Sequence, residues 1–141
     1  AVLAPHPDGT LRDAARHGLR TTPRVLAIRF DGRLVFANAS HFQESILAAL
    51  SERPDTRAVL IVASGINTID ATGEETLRHL VRDLNASGLR VAFAAVRWPV
   101  MEVLERTGLR PLIGEDNLFA SPEAALVALE RQYGAGAGPD Q

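Results

Sequence analysis

The 141-residue chain predicts an α/β domain: a mainly parallel sheet of about five strands, opened by a β-hairpin, with about four helices packed against it. Three observations carry this. Ala58-Val59-Leu60-Ile61-Val62-Ala63 has no polar residue, as expected of a strand covered on both faces. Similar short apolar runs alternate with segments of helical spacing, the signature of successive βα crossovers. Gly and Pro punctuate the junctions between them.

The elements follow in order. Residues 1–22 are polar, Pro-containing and weakly patterned, and read as a linker or arm; Leu11 to His17 has the pattern of a helical turn or two, ended by Gly18. Arg24 to Phe30 reads as a strand, Asp31-Gly32 as a hairpin turn and Leu34 to Ala37 as the returning strand. Ser40 with Gln43 forms a capping-box pattern, opening a helix with Phe42, Ile46, Leu47 and Leu50 on its apolar face. Arg53-Pro54-Asp55 breaks it, and the Ala58–Ala63 strand follows.

Leu77, Leu80, Val81 and Leu84 define the next helix, which Gly88 ends. Leu89 to Val96 is a strand. A helix from Pro99 to Thr107 turns Val100, Val103 and Leu104 inward, and Gly108 closes it. Glu115-Asp116 reads as a turn, and Asn117 to Ala120 as a short strand. Ser121-Pro122 is an N-cap followed by Pro at the first helical position, before a helix burying Ala125, Leu126, Leu129 and Tyr133. The domain thus spans 23–133, and the Gly-rich residues 134–141 form a flexible tail.

Composition narrows the function. There is no Cys, which removes thiol catalysis, disulfides and Cys-ligated zinc. There is no Lys, so a P-loop is excluded, and no GxGxxG or GxSxG motif occurs. The 15 basic residues are scattered arginines against a net charge of −2, giving no basic block for nucleic acid. His6, His17, His41 and His79 lack partners at metal-ligand spacing. The acid pairs, Asp70 with Glu74 or Glu75 and Glu115 with Asp116, are explained by helix starts and turns. No enzymatic activity, metal or cofactor is expected. The chain opens without an initiator Met, so it reads either as a piece of a longer protein or as a processed form, and a membrane segment would lie in whatever precedes it.

The loop Ile66-Asn67-Thr68-Ile69-Asp70-Ala71-Thr72-Gly73-Glu74-Glu75 joins the central strand to a helix. It falls at the carboxyl end of a strand, where open α/β sheets place their sites. Thr72 and Glu75 have capping-box spacing, so Thr72 reads as the N-cap. The same Thr is a candidate phosphorylation site, because a helix N-terminus favours phosphate. Asp70, Thr72, Gly73 and Glu74 are the candidate site residues of this loop, regulatory if the resemblance described next holds. Arg97 and Trp98 follow the later strand, and Trp98 serves either as an interaction anchor or as a cover for the core edge.

These residues resemble a known family. Asn67 to Gly73 is similar to the Asp-x-[Ser/Thr]-Gly loop of STAS domains, shared by sulfate permease (SulP-type) transporters and anti-sigma-factor antagonists. Arg29 to Ala39, with Phe36-Ala37-Asn38, resembles the opening hairpin of the transporter branch. Leu89 to Ala94, Leu104 to Leu109, and Asn117 to Ser121 with Ala124 to Leu126 resemble later elements. Asp8 to Ala14 resembles the segment joining the membrane domain to this module.

The resemblance implies a non-enzymatic regulatory or protein-interaction module on the cytoplasmic face of an anion transporter. Its partners would be the preceding membrane domain, a second copy as a homodimer, and a regulatory protein. The alternative is a free-standing anti-sigma-factor antagonist, a partner switch phosphorylated at Thr72; the acids Glu74 and Glu75 beside that position either repel a phosphate or imitate one. A third reading is nucleotide or small-anion sensing at the helix starts near Thr72, Pro99 and Ser121, with Arg97 adding charge.

Overall fold

Five strands run parallel because the odd and even residues of the central ones are apolar alike, so both sheet faces need cover. The computed structural model describes residues 10–13 and 23–134. The strands are β1 (Thr10–Asp13), β2 (Val25–Leu34), β3 (Ala58–Val62), β4 (Ile66–Ile69), β5 (Arg90–Ala94) and β6 (Leu118–Phe119). The helices are α1 (Ala39–Ser51), α2 (Ala71–Ala86), α3 (Trp98–Thr107), α4 (Leu109–Ile113) and α5 (Pro122–Tyr133), with a 3-10 turn at Glu115–Asn117. The sheet order is β1-β2-β3-β5-β6, with β4 also paired to β2. β1 is antiparallel to β2 and every other pairing is parallel.

Alternation along the strands divides the core. Leu26, Ile28, Phe30, Val59, Ile61, Val91 and Phe93 share one buried cluster with Phe42 and Ile46 of α1, Leu77, Leu80, Val81 and Leu84 of α2, and Val100 and Leu104 of α3. Val25, Ala27, Ala58, Leu60, Val62, Ala92 and Ala94 face the other way, under Ala125, Leu126 and Leu129 of α5. The small residues on this side let one helix cover it. Phe30 and Phe42 meet edge-on at the heart of the larger cluster, with ring centroids 4.8 Å apart.

The sheet opens on an antiparallel pair, but not at the expected hairpin. Asp31-Gly32 is not a turn: β2 continues through it to Leu34. Gly32 adopts φ 120° beside a register shift, and its N–H donates to the Gly65 carbonyl at 2.8 Å. β3 pairs with the first half of β2; after the break at 63–65, β4 pairs with its end. The antiparallel partner of β2 is β1, in the stretch read as an arm. Residues 11–13 are therefore strand rather than helix, and the rest of that expected helix lies outside the described residues, as do His6, His17 and the tail from 135.

Other boundaries moved for local reasons. Ser40 lies inside α1; Asn38 precedes that helix, and its side chain bonds the preceding turn instead of the helix. Leu47 of α1 is exposed, and Ala39 and Ala49 join Phe42 and Ile46 inside. Tyr133 is partly buried. Gly88, Gly108 and Ser121-Pro122 end or start helices as expected; Gly108 is left-handed and the Ser121 hydroxyl accepts the Ala124 N–H.

Candidate functional site: the loop from β4 into α2

The carboxyl ends of β2, β3, β4 and β5 lie at one end of the sheet, and the loops leaving them carry the expected site residues. Asp70, not Thr72, caps α2. Its backbone is extended (φ −100°, ψ −177°) and its Oδ1 accepts the Gly73 N–H at 2.8 Å. Thr72 lies inside the first helical turn, so the Thr72–Glu75 box is not formed. The physical reason is reach. Asp70 Oδ2 also accepts the Phe36 N–H at 3.0 Å, across 34 residues of sequence. The Asp70 N–H donates to the Leu34 carbonyl at 3.2 Å. One carboxylate thus caps a helix and ties it to the loop leaving β2, which a hydroxyl at 72 cannot do. The Gly73 N–H, then the Phe36 N–H, hold the Asp70 carboxyl below its ordinary pKa.

Gly73 has its own reason. A Cβ there would stand 2.1 Å from the Leu34 carbonyl oxygen, so only glycine lets α2 start this close to β2. Glu74 and Glu75, expected as an adjacent acidic pair, are separated by the helix. Glu74 is 8% exposed and paired with Arg78, whose guanidinium also donates to the Thr107 carbonyl at 2.7 Å. Glu75 alone is exposed. The Arg78 link, which fastens α2 to the end of α3, was not anticipated; its sequence signal is the Glu–Arg i,i+4 spacing.

The Phe36-Ala37-Asn38 segment is a turn held by its asparagine. Asn38 Oδ1 accepts the Val35 N–H at 3.0 Å and its Nδ2 donates to the Arg33 carbonyl at 2.6 Å. The ring of Phe36 is left 77% exposed. Trp98 is 72% exposed, so it does not cover the core edge. Arg97 beside it is exposed as well. Upstream, Ala95 adopts φ 59°, an uncommon conformation for a residue with a side chain, and its N–H donates to the Phe119 carbonyl at 2.9 Å. This end of the sheet therefore carries the Asp70 clasp with Thr72 half-buried beside it, and two exposed aromatics, Phe36 in the turn after β2 and Trp98 at the start of α3. Among the described residues no group of His, Asp and Glu is arranged to hold a metal ion, and no helix is long and apolar enough to cross a membrane.

A mainly parallel sheet with an acid-Thr-Gly helix start of this geometry defines a class, and comparison with known proteins gives the family. Residues 18–125 match the family model of the STAS domain, and the chain belongs to that family. A probable sulfate transporter of Mycobacterium tuberculosis is 28% identical over 114 residues, covering 80% of this chain and 20% of the relative. The chain spans between 16% and 20% of the length of the sulfate transporters it matches. Among solved structures, the SulP transporter STAS domain from Vibrio cholerae superposes with a TM-score of 0.63 at 23% identity, covering 85% of this chain and 92% of that one. The Bacillus cell-fate determinant SpoIIAA in its phosphorylated form superposes with a TM-score of 0.61 at 17% identity, covering 86% and 98%. The likeness to both structures is one of fold.

Proposed function

We propose that this domain is a non-enzymatic regulatory and protein-interaction module of a sulfate or related anion transporter, working at the cytoplasmic face of the membrane. Partners would be the transporter's membrane domain, a second copy and a regulatory protein. The observation that carries the reading is the pairing of the two family motifs: the Asp70 carboxylate grips the Phe36 N–H and leaves the Phe36 ring in solvent. A large apolar ring held outward by a rigid backbone is what an interface anchor requires. Trp98 adds a second ring at the same end of the sheet.

The test uses the complete reading frame. Membrane-spanning segments should precede Ala1. In the complete transporter, Phe36→Ala and Trp98→Ala should change sulfate uptake at unchanged membrane abundance, and leave the fold of the isolated domain intact. A reading frame without membrane segments, or uptake unaffected by both substitutions, would sink the reading.

A phosphorylation-controlled partner switch is the second reading. It is favoured by Thr72 directly before Gly73 and by the burial of Glu74 against Arg78, which leaves one exposed acid beside the hydroxyl. Incubation with ATP and a serine/threonine kinase of the same organism, followed by mass spectrometry, decides it: an unmodified Thr72 rejects the switch.

A further inference from the structure

The opposite end of the sheet carries a cleft of about 440 Å³ lined by Pro23, Arg24, Pro54, Asp55 and Arg57. It is an open, polar depression: Pro23, Pro54, Asp55 and Arg57 are exposed and Arg24 is half-buried. The strand pairing builds it. The Arg24 carbonyl accepts both the Arg57 N–H at 2.7 Å and the Ala58 N–H at 3.1 Å, setting Arg24 and Arg57 side by side just before β2 and β3. Like charges directly opposed on neighbouring strands are unfavourable. Neither guanidinium makes a hydrogen bond or ion pair with any described residue, whereas Arg78, Arg90 and Arg110 are each bonded to two or more partners. Arg53 adds charge beside the cleft, its guanidinium donating to the Val25 carbonyl at 3.4 Å. Pro23 and Pro54 stiffen the walls.

We propose that Arg24 and Arg57 bind a phosphate group that carries a proton, either as inorganic phosphate or as the headgroup of phosphatidic acid. Two guanidinium forks suit a tetrahedral oxyanion. Asp55 selects among oxyanions. It lines the same cleft and forms no ion pair with the arginines there. A protonated phosphate donates its O–H to this carboxylate, while sulfate has no proton to give and meets it as a repelling charge. The site lies away from the Asp70 loop and is independent of the function proposed above.

The 141-residue chain is titrated at constant ionic strength with inorganic phosphate, sulfate and chloride, following backbone amide shifts. It is also sedimented with vesicles of phosphatidylcholine alone and of equimolar phosphatidylcholine and phosphatidic acid. Phosphate should shift the amides of Arg24, Asp55 and Arg57 and bind at least about tenfold more tightly than sulfate, as expected when one hydrogen bond is exchanged for a repulsion. Arg24→Gln and Arg57→Gln should each weaken binding about tenfold. Arg57→Lys, which keeps the charge and loses the fork, should fall between, and Arg97→Gln should change nothing. Asp55→Asn should narrow the gap between phosphate and sulfate. Sedimentation with phosphatidic acid, lost in the Arg24 and Arg57 variants and without response to free phosphate, identifies the headgroup as the source. Sulfate or chloride acting as well as phosphate overturns the proposal. So does binding that survives both Gln substitutions with native amide dispersion, or no response in either arm.

Discussion

Replacing Asp70 tests the clasp most directly. Asp70→Ala removes the N-cap of α2, a loss of about 1 kcal/mol. It also removes the acceptor of the Phe36 N–H, a bond to a charged group, worth about 1.5–3 kcal/mol in proteins; this one is exposed, so water recovers a good part of it. The expected total is about 2 kcal/mol at neutral pH, a fall in Tm of about 4–8 °C at this chain length. Asp70→Asn separates the parts, because asparagine caps nearly as well as aspartate and lacks the charge. It should retain at least half of the lost stability.

The difference must also depend on pH. Folding depresses the Asp70 pKa, so its charge stabilises the native state above the unfolded value of about 3.9, and that contribution disappears as pH falls through the lower native value. Urea unfolding at stepped pH, with amide exchange at Phe36 as the local probe, measures both effects. Asp70→Ala within about 0.5 kcal/mol of wild type at neutral pH, or unchanged exchange at Phe36, would refute the clasp.

Gly73→Ala should destabilise by about 2–3 kcal/mol, since its methyl group falls inside the contact distance of the Leu34 carbonyl and α2 must shift; thermal unfolding reads it. Thr72→Ala should cost under about 0.5 kcal/mol, whereas Ser121→Ala, which removes a formed cap, should cost about 1 kcal/mol; comparable losses in the two would restore Thr72 as a cap. Arg78→Ala should cost about 2 kcal/mol, because it strands Glu74 and frees the Thr107 carbonyl, and Glu74→Gln should recover part of it in the double variant.

Most of the fold was legible because its signals are local. β3 is fully buried along its length, and its unbroken apolar run said so. Ser121-Pro122 and Gly108 mark helix boundaries by backbone chemistry that needs no tertiary partner. The readings that failed turned on distant partners. Asp31-Gly32 has hairpin chemistry, yet Leu34 is fully buried and pairs with Ile69, so the strand runs on and the glycine serves a bulge. Asp70 and Thr72 are both good caps in sequence. What separates them is an N–H at Phe36 that arrives only when β2 and β4 lie together. Trp98 could not be placed from sequence because helical spacing fixes the inward face of α3 through Val100 and Leu104, while a residue at the first turn is free to point either way.

The two motifs that carry the family resemblance are one structural unit. Asp70 and Gly73 let α2 begin against the end of β2, and Asn38 folds the Val35–Asn38 turn so that the Phe36 N–H faces the Asp70 carboxylate. Each feature is accounted for by bonding or contact within the fold. Thr72, Phe36 and Trp98 are not: none of them supplies the cap of α2 or a fully buried core contact. The loop's rigid residues therefore explain its shape, and under the function proposed above the residues free of that duty would form the surface that a partner reads. That division makes substitutions at Asp70 and Gly73 report on stability first and on regulation only through it. If the proposed function holds, substitutions at Phe36, Thr72 and Trp98 change regulation without changing stability.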